Sequence, residues 1–179
     1  MTRLRLPVSA DDHIQGPLDA PVTLIEYGDY ECSYCGLAFP NVKRVQERFA
    51  EQLRFVFRHF PLTEAHPFAE SAAEAAEYAA THNRFWEMHD GLYSNQDQLG
   101  VPLVLGLGRA LGLSEPGLRD AMAEKRFGAK IQADFLGGVR SGVNGTPSFY
   151  INGEKHQGSY AYDELAAAVA SQLHAGAPR

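Results

Sequence analysis

From about Glu64 to Arg140 the apolar residues keep helical spacing throughout, and strand-like segments lie only before and after this block. A chain patterned this way has to build any sheet from two separated pieces, with a helical unit set between them. In AHPFAESAAEAAEYAATHN, Phe68, Ala72, Ala75, Ala76 and Ala79 share one helical face, and Glu70, Glu74, Glu77 and Thr81 share the other. Phe85, Met88 and Leu92, then Leu103, Leu107 and Leu111, then Leu118 and Met122, then Phe127, Ile131 and Phe135 continue the series. Turn signals at Gly100 to Pro102 and Gly112 to Ser114 separate the helices, and Ser114 suits an N-cap.

Before the block, PVTLIEYG (Pro21 to Gly28) is β-branched and aromatic, bounded by Pro and Gly, and reads as a buried strand. A helix is expected from near Cys32 through LAFPNVKRVQERFA, with Leu37, Val42, Val45 and Phe49 on its apolar stripe and a kink at Pro40. QLRFVFRHFP reads as a second strand closed by Pro61. After the block, TPSFYING regains strand character. Asn152-Gly153 signals a two-residue hairpin with EKHQG as the partner strand. A last helix carries Tyr162, Leu165, Val169 and Leu173, and the tail HAGAPR is expected to fray. The two flanks are therefore a βαβ half and a ββα half that share one mixed sheet, an α/β architecture.

Composition limits the partners. The chain has 179 residues, 45% of them hydrophobic and 21% charged, as in a soluble globular protein. A net charge of −6 with scattered basic residues argues against nucleic acid or an anionic membrane as partner. No run approaches the roughly eighteen apolar residues of a membrane span. In MTRLRLPVSADDH, Pro7, Ser9, Asp11 and Asp12 leave no apolar core for a secretory signal. The expected location is cytoplasmic, or periplasmic or extracellular if the N-terminus is trimmed.

The two cysteines, Cys32 and Cys35, both fall in GDYECSYCGLAFP. As a staple they close a minute loop and stabilise little. A zinc site normally takes four ligands; His59 or His66 would have to complete it, and neither has ligand-like spacing to the cysteines. A redox pair has a physical basis. If Cys32 opens the helix, its sulfur lies among unpaired N–H groups at the positive end of the helix dipole, which favours thiolate. Cys35, one turn later, is in reach to displace whatever Cys32 captures. Asp29 and Glu31 oppose ionisation but, if exposed, are screened by water, and Tyr34 adds no positive charge. A moderate lowering of the Cys32 pKa is expected.

DAPVTLIEYGDYECSYC, with GTPSF far downstream and FRHFPL, AHPFAESAAEAAEYA and RFWEMHDGLY between, resembles the DsbA-like thiol–disulfide oxidoreductases of the thioredoxin superfamily, from roughly Asp12 to Leu173. The resemblance implies a thioredoxin fold (12–63 and 141–175) interrupted by an inserted all-helical domain (64–140). It implies Cys32 as exposed nucleophile and Cys35 as buried resolving thiol. Thr146-Pro147 would be a cis bond in the loop facing them, its backbone open to pair with an extended substrate as in strand addition; Pro147 would also block approach of a metal. Thr146, Pro147 and Tyr34 are the implied substrate-binding residues. Glu26 corresponds to a buried acid that accepts a proton from Cys35. His59 and His89 read as packing or hydrogen-bonding residues. The best-known periplasmic members carry a basic histidine between the cysteines; Ser33-Tyr34 stands there instead, which argues against a very oxidising couple.

The implied function is disulfide exchange with cysteine-containing proteins or peptides, without a cofactor and with a separate redox-recycling partner. Two alternatives stay open. One is a redox-sensing peptide-binding or holdase module, using the groove between Pro147 and the helical block. The other is a glutathione-dependent transferase or isomerase, against which the second cysteine counts.

Overall fold

Strands from both sides of the helical block meet in one sheet. The computed structural model describes residues 2–175. Among them β1 (His13–Gln15), β2 (Val22–Gly28), β3 (Leu53–His59), β4 (Ser148–Ile151) and β5 (Glu154–Lys155) lie in the order β1-β3-β2-β4-β5. β2 and β3 are parallel and joined through α1 (Ser33–Phe49), while the other pairs are antiparallel. After β3 the chain forms α2 (Ala69–Ala80), α3 (Phe85–Ser94), α4 (Val101–Ala110), α5 (Glu115–Glu124) and α6 (Gly128–Arg140) before returning to β4; α7 (Tyr162–Ala175) follows β5. Residues 176–179 of the tail lie outside the described residues, and His174 and Ala175 close α7. No helix among the described residues is long and apolar enough to cross a membrane.

β2 and β3 read as nearly continuous apolar runs because both of their faces are covered. Leu24, Phe55 and Phe57 face a cluster that includes Val42 and Val45 of α1, Leu165 and Val169 of α7, and the helical block. Ile25, Tyr27 and Val56 face the other way, against Phe60, Val143 and Tyr150. The mixed sheet matches the sequence pattern, with one strand more. β1 is not foreshadowed by the sequence, since three residues with Ile14 as their one large aliphatic side chain show no period.

Two local expectations need correction. The buried stripe of α1 is Cys35, Ala38, Val42, Val45 and Phe49, and Leu37 lies off it, 60% exposed. α2 is not two-faced: packed between α3, α5 and α6, it buries Glu74 and Glu77 along with its alanines. Both carboxylates have polar partners there. Glu74 Oε2 accepts the Phe127 N–H (2.8 Å), and Glu77 Oε1 accepts from His13 and His59 (2.6 and 2.7 Å). The hairpin turn is as expected, with Asn152 and Gly153 at φ 47° and 82°. Its second strand is shorter than EKHQG, although the His156 N–H still reaches the Phe149 carbonyl (2.9 Å).

One buried cation ties the N-terminal segment to the sheet. Arg58 is fully buried on β3 and donates to both Asp12 carboxylate oxygens (2.7 and 2.9 Å), the Leu6 and Pro7 carbonyls (2.8 and 3.0 Å) and the Tyr27 hydroxyl (2.9 Å). Truncating one member of such a pair leaves the other charge buried and unpaired. Arg58→Ala is expected to lower stability by about 3–5 kcal/mol, read by urea unfolding, and to open Arg3 and Arg5 to trypsin. Unchanged unfolding and unchanged proteolysis together would contradict this account.

Candidate active site

β2 ends at Gly28 and α1 starts at Ser33, so residues 29–32 must turn the chain over the end of the sheet. Cys32 is the N-cap of α1, in extended conformation (φ −71°, ψ 118°). A capping side chain normally accepts from the N–H of the second or third helical residue. Here those residues are Tyr34 and Cys35; the Cys32 side chain makes no capping hydrogen bond to them, but their N–H groups favour the ionised sulfur. Both cysteines are free thiols. Cys35 is fully buried and Cys32 is 4% exposed, less open than the resemblance implies. The reason is the loop carrying the cis Thr146–Pro147 bond, whose Thr146 carbonyl lies 3.4 Å from Cys32 Sγ and accepts from the thiol. Tyr34, by contrast, is 60% exposed.

The acidic residues of the turn are not exposed charges screened by water. Asp29 is buried, and its carboxylate accepts the N–H groups of Glu31 (2.8 Å) and Leu62 (2.9 Å) and pairs with His66 Nδ1 (2.7 Å). Glu31 Oε2 accepts the Phe68 N–H (2.6 Å). These side chains spend their charge holding the loop after β3 against the turn.

Glu26 lies on a central strand, between Phe57 of β3 and Phe149 of β4 in register. It is 2% exposed, and its Oε1 has no hydrogen-bond partner among the described residues. Burial is the main reason its carboxyl is raised to about 8, and negative charge on Cys32 adds to it.

The two thiols are driven apart. Cys32 is lowered to about 5, chiefly because the Cys35 thiol donates to its sulfur. Burial opposes this, while the Thr146 side chain and the Cys35 and Tyr34 N–H groups support it. Thr146 Oγ1 is buried and has no hydrogen-bond partner among the described residues. Cys35 is raised well above its ordinary value by burial first, then by its donation to Cys32 and the nearby charges of Glu26 and Cys32. The lowering of Cys32 exceeds the moderate one expected, because its largest source is a neighbouring thiol rather than a net charge.

Residues 9–171 match the family model described as thioredoxin. The chain belongs to the thioredoxin family. Its fold is that of the DsbA-like members: oxidised BdbD from Bacillus subtilis superposes with a TM-score of 0.84 at 22% identity, over 92% of this chain and 94% of that one. Wolbachia pipientis alpha-DsbA1 gives 0.83 at 20% identity, over 96% and 95%. Among sequence relatives, a Na(+)/H(+) antiporter NhaA 1 of Salinispora arenicola is 46% identical across 94% of this chain. One from Mycobacterium sp. (strain KMS) is 37% identical across 92%. This thioredoxin-family chain covers 26% and 27% of those two proteins, about a quarter of the length of the curated relatives it matches.

The histidines have other work. His59 and His66 are held by Glu77 and Asp29 respectively, and His89 Nδ1 lies 2.9 Å from the Tyr30 hydroxyl. His13, His59 and Glu77 together have a donor set that suits a metal. However, both imidazoles approach one carboxylate oxygen at 2.6 and 2.7 Å, hydrogen-bond distances shorter than the roughly 3.3 Å between ligands on tetrahedral zinc. The trio is a hydrogen-bonded clasp between β1, β3 and α2. The sequence left unmarked the partner role of His66 and the approach of Gln96 to the turn, since both come from segments remote from the cysteines.

Two measurements follow from these ionisations. The rate of Cys32 alkylation by iodoacetamide should rise with a midpoint near pH 5, and Cys35→Ala, which deletes the donor, should move it upward by about one unit or more. For Glu26 the folded protein keeps its proton between pH 4.5 and about 8 while the unfolded chain loses it. Its burial therefore costs stability increasingly as pH rises through that window. Glu26→Leu should accordingly be more stable than wild type in urea at pH 7, by about 3 kcal/mol, with the gain vanishing near pH 4; a loss of stability at pH 7 would contradict the assignment.

Proposed function

We propose that this chain is a thiol–disulfide oxidoreductase that exchanges disulfides with cysteine-containing proteins or peptides through Cys32 and Cys35. What supports the reading is the contrast between two neighbouring thiols, one at the N-cap position of a helix and drawn toward the thiolate, the other buried beneath it and held protonated. In the reducing direction the Cys32 thiolate attacks one sulfur of a substrate disulfide. A Cys32–substrate bond forms, and the other substrate sulfur leaves as thiolate. Cys35 then gives up its proton and attacks Cys32, forming the Cys32–Cys35 disulfide and releasing the second substrate thiolate. Two electrons pass from the protein dithiol to the substrate, and a recycling partner restores them. The reverse sequence oxidises a substrate dithiol. No step requires a cofactor.

Glu26 serves the proton at Cys35. Once Cys32 is bound in a mixed disulfide its negative charge is gone, and one of the two causes holding Glu26 protonated goes with it. The carboxylate then accepts the Cys35 proton. In the reverse direction the neutral acid returns that proton to the departing Cys35 thiolate. Thr146, Pro147 and Tyr34 bind the substrate: the Thr146 backbone N–H has no partner among the described residues and suits pairing with an extended peptide. In this reading residues 64–140 act as an inserted helical domain, with 12–63 and 141–175 as the redox domain. Antiporter activity belongs to the named relatives as wholes and forms no part of the proposal.

Dithiothreitol-driven reduction of insulin tests the proposal. Wild type should accelerate it, Cys32→Ser should abolish the acceleration, and Cys35→Ser should accumulate mixed disulfides visible on non-reducing gels. Equal rates for wild type and Cys32→Ser would sink it.

A further inference from the structure

The helical block touches the backbone of the redox turn through one amide side chain. Gln96 opens the 3₁₀ turn Gln96–Gln98 between α3 and α4. Its Nε2 donates to the Tyr30 carbonyl and to the Cys32 carbonyl, each at 2.8 Å, so both N–H bonds of the amide are used on the turn. The amide fits there because residue 36 is glycine: a Cβ at Gly36 would overlap Gln96 Oε1 and meet Cδ at 2.9 Å. The Cys32 carbonyl also accepts the Gly36 N–H at 3.1 Å, starting the helical bonding of α1. The 3₁₀ turn is itself anchored, with Asn95 Nδ2 donating to the Gly91 carbonyl (2.9 Å).

We infer that Gln96 is a positioning residue that holds the backbone of Cys32 at the N-cap of α1, and that Gly36 is the notch that admits it. The carbonyl of Cys32 fixes the peptide plane leading into Ser33. That plane fixes where the Cys32 sulfur stands relative to the Tyr34 and Cys35 N–H groups and the Cys35 thiol. Clamping the carbonyls of residues 30 and 32 with one planar amide restrains the backbone on both sides of Glu31, and a site held by such a supporting shell loses little to reorganisation. The consequence for turnover rests on the disulfide-exchange reading; the effect on the thiol does not.

The test uses the full chain with Gln96→Ala, Gly36→Ala and the double variant, reading the pH midpoint of Cys32 alkylation. Gln96→Ala should raise the midpoint by about one unit, a tenfold loss of thiolate at pH values below the midpoint. Gly36→Ala should shift it in the same direction by evicting the amide, although alanine itself favours helix. The double variant should shift it no further than the larger single, because both remove one contact. Gln96→Glu, which replaces both donors by an oxygen facing two carbonyls, should shift it more. A Gln96→Ala protein that unfolds earlier but keeps the wild-type midpoint would overturn the inference, as would fully additive shifts. If these shifts appear while wild type fails to reduce insulin, the positioning role stands and the oxidoreductase reading falls. Active wild type with an unmoved midpoint does the opposite.

Discussion

A sulfur stands where a capping oxygen usually does. The first N–H groups of a helix have no internal partners, and Ser, Thr, Asp or Asn commonly supplies an acceptor. At α1 the residue in that place is Cys32; its side chain makes no capping hydrogen bond, but the Tyr34 and Cys35 N–H groups favour its ionised form. Its sulfur is drawn down to about 5, while Cys35, which donates to it, is driven up. In the proposed disulfide exchange a stabilised thiolate weights the pair toward its dithiol form, and that weighting fades as pH falls through 5.

The same thiolate raises Glu26, and Glu26 in turn raises Cys35, so the three groups form one coupled set. Whichever proton moves, the other two respond. A carboxyl fixed between Phe57 and Phe149 in the middle of a sheet cannot relieve its burial by turning to water. Its readiness to take or give a proton therefore changes with the state of Cys32.

The helical block is part of how the turn is held. Asp29 receives the Leu62 N–H and His66, Glu31 receives the Phe68 N–H, and Asp134 of α6 receives the His59 N–H at 3.2 Å. Each contact joins the end of a strand, or the turn after it, to the loop or helices that follow β3. Except for the His66 ring, each also satisfies a backbone N–H donor. Acidic residues that look like solvated surface in a linear reading are acceptors for backbone groups far away in the chain.

Periodicity determined a good deal by itself. The β-branched and aromatic runs of β2 and β3, the helical spacing after His66 and the Asn152-Gly153 turn are local signals, and the mixed sheet, helical insertion and hairpin followed from them. The spacing of Cys32 and Cys35 behind a strand likewise carried the proposal of redox chemistry, because helix polarity is a property of the backbone. Only tertiary structure decided the rest. Glu74 and Glu77 had the spacing of an exposed face, yet alanine's small side chain lets helices close on α2 from several sides. β1 exists because β3 offers an open edge, and Leu37 left the core stripe because Cys35 and Ala38 claimed it. The strength of the Cys32 shift depends on the Cys35 thiol, the Thr146 side chain and the Cys35 and Tyr34 N–H groups being gathered around one sulfur. Such convergence is set by how separate elements pack, and hydrogen bonds fall off too steeply with distance for sequence spacing alone to reveal them.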